Sequence, residues 1–169
     1  MSTRSQIGFY DNAKTKVSEP DLLIYRHSDG YPGTADGKEY GVLADIIPFL
    51  KSFRQYRGND TEYCGAQLLH HLMKGYDEST ERMRKQYPKS FGSDSAPSYT
   101  GHGICAHRNF HGDIEYYYAV YPDEVRVFEV TGDSPDGWKK IKTVRIASKE
   151  RAEQFSQRPL KVGRPDLIV

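Results

Sequence analysis

The chain has 169 residues, and its 24 Lys and Arg nearly balance its 23 Asp and Glu, which gives a net charge of +1 at pH 7. This length suits one domain with a buried core. The balanced charge excludes a strong overall electrostatic attraction to nucleic acid or to an anionic membrane. No run approaches the roughly 18 to 20 apolar residues that span a bilayer, and the first residues lack an apolar signal segment. We therefore expect a cytoplasmic protein that is neither exported nor inserted into a membrane.

Two short apolar runs near the start of the chain predict a β-hairpin. Residues 6–10 and 22–27 alternate between two faces with the period of a strand, and a turn-forming stretch follows the first run. An ordered loop comes next, because Pro32 and Gly33 suit the two central positions of a type II turn.

Apolar residues with helical spacing follow the loop. The first helix should run from about residue 40 to a point before Gly58, with a kink expected at Pro48. The second should begin at an N-cap within residues 59–61 and carry its apolar face through Tyr76.

The second half of the chain changes to the period of strands. Residues 79–87 suit a charged surface helix, and residues 88–100 are rich in Ser, Gly and Pro and suit a long loop. Four strands are predicted after the loop, of which the last three should form a meander: residues 103–107, 114–121, 124–130 and 138–146. A short helix at 148–155 precedes a tail at 158–169 with too many Pro and Gly residues for regular structure.

These patterns together predict the α+β class. We expect an antiparallel sheet of about five or six strands with two main helices packed on one face. The 13 tyrosines, against 7 Phe and 1 Trp, favour half-buried sheet surface. Residues 1–157 should form a single domain, and residues 158–169 an extended tail.

The densest polar stretch follows the second predicted strand. If strand geometry persists two residues beyond His27, then Asp29 lies on the same side of the chain. A carboxylate beside an imidazole fixes its tautomer and suits it to general acid or base catalysis. The alternative is structural, with Asp29 in an Asx-turn and His27 at the end of the strand.

Two arginines fall near each other if the first two strands form a hairpin. Arg26 shares a strand face with Leu22 and Ile24, and Arg4 precedes the first strand. Two guanidinium groups there would bind a phosphate or carboxylate through charge-assisted hydrogen bonds, with Tyr31 as an aromatic neighbour. The alternative is an ion pair with a nearby carboxylate, which contributes about 0 to 1 kcal/mol at a surface.

The histidines and the cysteine around residue 105 suggest a metal site, but their geometry argues against one. In a strand, Cys105 and His107 share a face while His102 takes the other, and the spacing matches no zinc motif. We predict no metal and no cofactor, and we expect Cys105 to be a packing residue. His107 and Arg108 form a second polar loop, which joins the first only if the strand before it neighbours residues 22–27.

Three segments carry a resemblance to a known family: Thr3-Arg4-Ser5-Gln6-Ile7, His27-Ser28-Asp29-Gly30-Tyr31 and His107-Arg108. The chain resembles a family of small proteins encoded mainly by bacteriophages, prophages and other mobile elements. Its members begin with Thr-Arg-Ser-x-Ile and carry His-x-Asp-Gly-Tyr after a short strand. The resemblance implies an accessory role in a mobile element within a bacterial host, such as host takeover or anti-defence, and it implies no particular reaction or ligand.

Three functions fit these observations. The first is a binding protein that holds a small anionic or nucleotide-like ligand, or a host protein, at one end of the sheet. Its predicted binding residues are Arg4, Arg26, His27, Asp29, Tyr31, His107 and Arg108. The second is a metal-independent hydrolase or phosphodiesterase in which His27, oriented by Asp29, transfers protons while Arg26 steadies the developing charge. The third is a protein-interaction module that acts through residues 114–121 or the loop at 87–99.

Overall fold

The computed structural model describes residues 3–58, 60–91 and 101–146. Its strands are β1 (Ser5–Phe9), β2 (Leu22–Arg26), β3 (His102–Ile104), β4 (Tyr116–Val120), β5 (Glu124–Glu129) and β6 (Lys139–Arg145). Its helices are α1 (Val42–Arg57), α2 (Thr61–Gln86) and the single turn α3 (Pro88–Phe91), and a 3-10 turn covers Pro135–Gly137. The predicted helix at 148–155 and the tail at 158–169 lie outside the described residues.

The six strands form one sheet in the order β3-β2-β1-β4-β5-β6, which confirms the α+β class. Four of the neighbouring pairs are antiparallel, including the predicted hairpin β1–β2 and the predicted meander β4–β5–β6. The exception is the pair β1–β4, which is parallel. The period-two pattern did not reveal this pair, because alternation predicts which face a residue takes and not the direction of a neighbouring strand.

The two long helices begin where the sequence predicts. Asp60 caps α2 by accepting a hydrogen bond from the backbone N–H of Tyr63. Helix α1 continues through Pro48 and ends at Arg57, just before Gly58. Residues 79–86 are helical and mostly exposed, as predicted, but they continue α2, which runs for 26 residues without a break.

Hydrophobic side chains form two clusters that involve opposite faces of the sheet. The larger cluster contains the buried residues of α1 and α2 together with strand residues such as Ile24 and Tyr118. The smaller cluster contains the residues next to them in sequence, such as Leu23 and Tyr117, and is completed by Trp138 from outside the strands. Successive residues of a strand point to opposite faces, so the sheet separates the two clusters.

Helix α2 approaches strand β2 most closely at Gly65. A Cβ atom at this position would meet Leu22 Cδ2 at 2.0 Å, so a larger residue would have to displace the Leu22 side chain. The second half of α2 runs past the end of β2. None of the helices in the described ranges is long and apolar enough to cross a membrane.

Candidate functional site

The loop after β2 is held in place by hydrogen bonds with Thr3, which precedes β1, and with Tyr118 of β4. The N–H of Gly30 donates to the carbonyl of Thr3 at 2.9 Å, and the hydroxyl of Tyr118 donates to the carbonyl of Gly30 at 2.8 Å. A Cβ atom on Gly30 would lie 2.8 Å from the carbonyl carbon of Arg4, so this close approach requires glycine. The loop is therefore fixed to the edge of the sheet at its centre.

The same loop also orients the start of α1. The backbone N–H groups of Val42 and Leu43 donate to the carbonyls of Tyr31 and Pro32, each at 3.0 Å. Gly33 has a φ of 59°, in the left-handed region that the predicted turn requires at this position. This arrangement brings the first turn of α1 alongside the end of β2.

Arg26 pairs with a carboxylate from that first turn. Its Nη1 lies 2.6 Å from Asp45 Oδ2, and its Nε donates to the carbonyl of Ser28 at 2.9 Å. The side chain of Arg26 is only 5% exposed. The ion pair that the sequence offered as the structural alternative therefore exists, but it is buried and does not belong to the weak surface class.

A pocket of about 520 Å³ opens between the second half of α2 and the loop after β2. We call it the α2 pocket. Its walls come from five parts of the fold: β2, the loop after it, α1, α2 and the start of β3. The lining residues include Arg26, Asp29, Asp45, His71, Tyr76 and His102. Two of the seven predicted binding residues, Arg26 and Asp29, thus line one cavity.

His102 is the most unusual side chain of the α2 pocket. It pairs with Arg26 across β2 and β3, and the Tyr76 ring meets its ring edge-on with 6.3 Å between centroids. Both ring nitrogens are buried, and neither has a hydrogen-bond partner in the described part of the chain. Burial, and to a smaller extent the charge of Arg26, lowers the pKa of His102 to about 4, so the imidazole is neutral at pH 7.

A second polar cluster lies on the opposite face of the sheet, and we call it the loop-face cluster. Arg4 pairs with Asp113 at 2.8 Å, and the ring of Tyr25 stacks on His111 with 4.5 Å between centroids. Gln6 holds the loop after β3 by donating to the carbonyl of Asn109 at 3.0 Å and by accepting from the N–H of His111 at 3.1 Å. Most of these contacts are made within the cluster, but Arg4 Nε is buried without a hydrogen-bond partner among the described residues.

The structure divides the predicted binding residues between separate environments. Strands β2 and β3 are neighbours, which confirms the condition set for joining the two polar loops. Neighbouring strands do not guarantee a shared face, however, and His107 and Arg108 lie exposed in the loop whose Cys105 and Phe110 pack against the smaller cluster. Arg26 instead faces α1.

The other members of the predicted set lie apart from the pair in the α2 pocket. Arg4 belongs to the loop-face cluster, and His27 follows β2 with its ring centroid 6.3 Å from that of Tyr25. Tyr31 is 38% exposed, and its carbonyl supports α1.

The geometric condition behind the hydrolase hypothesis does not hold. The strand ends at Arg26, one residue before His27, and Asp29 has a φ of 54°. A residue in the left-handed region breaks the alternation that would have placed His27 and Asp29 on one side.

The two cysteines lack the features of reactive thiols. Burial raises the pKa of Cys64 to about 11. Burial also raises the pKa of Cys105, whose sulfur lies 3.0 Å from Gln6 Nε2. Thiolates are the nucleophilic form, so these environments favour packing over chemistry. Among the residues that the structure describes, no group of three His, Cys, Asp or Glu side chains is placed to hold a metal ion.

A shallower aromatic groove of about 420 Å³ lies between α1 and the start of α2. Phe49 and Phe53 form its base, Tyr56 is 80% exposed, and the guanidinium of Arg57 lies 4.6 Å from the centroid of the Tyr63 ring. The groove has fewer polar groups than the α2 pocket.

Comparisons with protein-family models, with curated proteins and with solved structures each gave no match for this chain.

Proposed function

We propose that this chain is a binding protein that holds a small organic ligand in the α2 pocket. The volume of the pocket falls within the range of roughly 300 to 1,000 Å³ that is typical of small-molecule sites. Its walls come from several elements that are tied together by the Arg26–Asp45 pair and by the anchored loop at Gly30. A preformed cavity of this kind lowers the ordering cost of binding.

The observation that carries the proposal is the pair of buried ring nitrogens of His102 without hydrogen-bond partners among the described residues. An unsatisfied buried donor or acceptor costs about 1 to 3 kcal/mol. Folded proteins rarely retain such groups unless water, a ligand or a reaction uses them. His102 lines the α2 pocket, so a small rotation of its ring would bring one of these nitrogens into contact with a ligand there.

An accessory role in a mobile element agrees with binding in the α2 pocket. Host takeover or anti-defence can act by sequestration, and sequestering a small molecule requires occupancy without turnover. We propose this role, within the cytoplasm of a bacterial host, on the strength of the resemblance in the amino-terminal motifs.

The interaction hypothesis has less support at residues 114–121, one of its two proposed surfaces. Strand β4 lies between β1 and β5, and the rings of Tyr117, Tyr118 and Tyr121 are fully buried. These tyrosines stabilise the sheet and are not available to a partner. Most of the loop at 87–99 lies outside the described residues.

A melting assay on two adjacent positions of α2 tests the proposal. Thr80 lines the α2 pocket, whereas Glu81 is exposed and pairs with Lys85. We expect one class within a panel of nucleobases, nucleosides, nucleotides, amino acids and polyamines to raise the Tm of the wild type by several degrees, since ligand at 100 times Kd adds about 2.7 kcal/mol. Thr80→Trp should abolish this shift, and Glu81→Trp should retain it.

Two results would count against this proposal. One is a panel that shifts no Tm, and the other is a shift that survives equally in both Trp variants. Mass spectrometry of the incubated compounds separates binding from catalysis, because a binding protein returns them unchanged and a hydrolase returns products.

A further inference from the structure

The charges around the α2 pocket show no surplus of positive groups. Its described walls carry two guanidinium groups against three carboxylates: Arg26 and Arg82 against Asp29, Asp45 and Glu78. Arg26 is already paired with Asp45. A phosphate placed here would approach more carboxylates than unpaired cations, so the anionic part of the sequence-based hypothesis finds little support in this cavity.

The Arg26–Asp45 pair leaves N–H donors of the guanidinium and one carboxylate oxygen unused in the described part of the chain. The pair uses Nη1 of Arg26 and Oδ2 of Asp45, and the Nε of Arg26 is committed to the carbonyl of Ser28. Within the described ranges, Nη2 of Arg26 and Oδ1 of Asp45 take part in no other hydrogen bond. Because Arg26 and Asp45 both line the α2 pocket, a ligand there can meet a donor and an acceptor, which are complementary to the C=O and N–H of a planar cyclic amide.

Aromatic side chains contribute to the same cavity. Tyr40, Tyr76 and His71 line the α2 pocket together with the ion pair. Aromatic faces stack on flat heterocycles whether or not the heterocycle carries charge. A flat ring with a polar edge would therefore meet both kinds of group at once.

We infer that the α2 pocket binds an uncharged heteroaromatic ring with an amide edge, the class that includes hypoxanthine and uracil nucleosides, in preference to their phosphates. Arg26 donates to the ring carbonyl, Asp45 accepts from the ring N–H, and the tyrosines contact the ring faces. This inference rests on the proposed function, because it takes the α2 pocket to be the ligand site.

Titration calorimetry with edited ligands tests the inference without disturbing the buried ion pair. The probes are inosine and uridine, their ring-methylated forms 1-methylinosine and 3-methyluridine, and the two 5′-triphosphates. We expect at least one of the two nucleosides to bind to the wild type and to Glu81→Trp, but not to Thr80→Trp. Ring methylation removes the N–H donor and should weaken binding by at least about tenfold, and the triphosphate should weaken it by a similar factor.

The two levels of the proposal fail in different ways. If a triphosphate binds more tightly than its nucleoside, or if methylation leaves the affinity unchanged, the amide-edge inference is overturned. If neither nucleoside binds while another compound class gives a Tm shift that Thr80→Trp abolishes, the inference also falls, and the proposed function stands. If no compound binds in a way that depends on Thr80, both fall.

Discussion

Two arginine–aspartate pairs lie at the same end of the β1–β2 hairpin, and they differ mainly in their exposure to solvent. The Arg26–Asp45 pair is 2.6 Å long with 5% of Arg26 exposed, and the Arg4–Asp113 pair is 2.8 Å long with 37% and 47% of its side chains exposed. Both clusters contain a buried nitrogen without a hydrogen-bond partner among the described residues, Arg4 Nε in one and the ring nitrogens of His102 in the other. The buried pair also lines a cavity, so burial of the ion pair together with the cavity distinguishes the candidate site better than the density of polar residues does.

The largest expected effect comes from breaking each pair in turn. Arg26→Ala leaves Asp45 partly buried without its partner, so we expect the free energy of unfolding to fall by about 3 to 5 kcal/mol. The matched change Arg4→Ala removes an exposed pair and should cost about 0 to 1 kcal/mol. Urea denaturation of both variants measures the difference, and equal losses would contradict the contrast between the two clusters.

A second effect depends on pH and concerns His102. Its pKa is about 4 in the folded protein, below the usual value of 6.5, so the unfolded chain binds more protons between these values. The contribution of His102 to stability is therefore constant above about pH 6.5 and is lost as the pH falls towards 4. Between pH 7 and pH 5 we expect the wild type to lose about 2 kcal/mol relative to His102→Phe.

Urea denaturation of the wild type and His102→Phe at both pH values measures this linkage. Titration of the other groups is common to the two proteins and cancels in the comparison. Parallel losses of stability in the two proteins would show that His102 is not held neutral by burial.

A smaller effect should come from the hydroxyl that anchors the loop beside the α2 pocket. Tyr118→Phe removes the 2.8 Å hydrogen bond to Gly30 and leaves that carbonyl without its donor. We expect a loss of about 1 to 2 kcal/mol by thermal or urea denaturation. Tyr25→Phe is the matched control in the loop-face cluster, since its hydroxyl lies 3.5 Å from Asp113 and should contribute within about 0.5 kcal/mol. Equal losses of stability in Tyr118→Phe and Tyr25→Phe would contradict the view that only the Tyr118 hydroxyl anchors its loop.

Much of the fold could be predicted from local pattern. The hairpin, the meander and both long helices follow from periodicity, and the N-cap at Asp60 follows from side-chain chemistry. The parallel pairing of β1 with β4 could not be predicted, because it depends on how the chain returns after more than a hundred residues. The continuity of α2 was missed because its charged second half lacks the apolar stripe that marked its first half.

The site was predictable only where it is contiguous in sequence. Arg26 and Asp29 were found because they fall in one polar stretch, whereas Asp45 joins them from α1 and was not considered. The sequence offered His102 only as a metal ligand, and no sequence pattern connects His71 with the α2 pocket that it lines. Only the pairing of β2 with β3 and the path of α2 reveal these neighbours.

The most direct test of the α2 pocket is a variant in which stability and binding should move in opposite directions. Gly75 lies inside α2 and lines the pocket, and a Cβ atom there would meet nothing within 4 Å. Gly75→Leu should raise the free energy of unfolding by about 0.5 to 1 kcal/mol through better helix propensity. It should also abolish the ligand-induced rise in Tm, because the new side chain occupies the cavity, whereas Met73→Leu on the same helix should leave that rise intact. A Gly75→Leu protein that is more stable and still shows the full ligand-induced rise would contradict the assignment of the α2 pocket as the binding site.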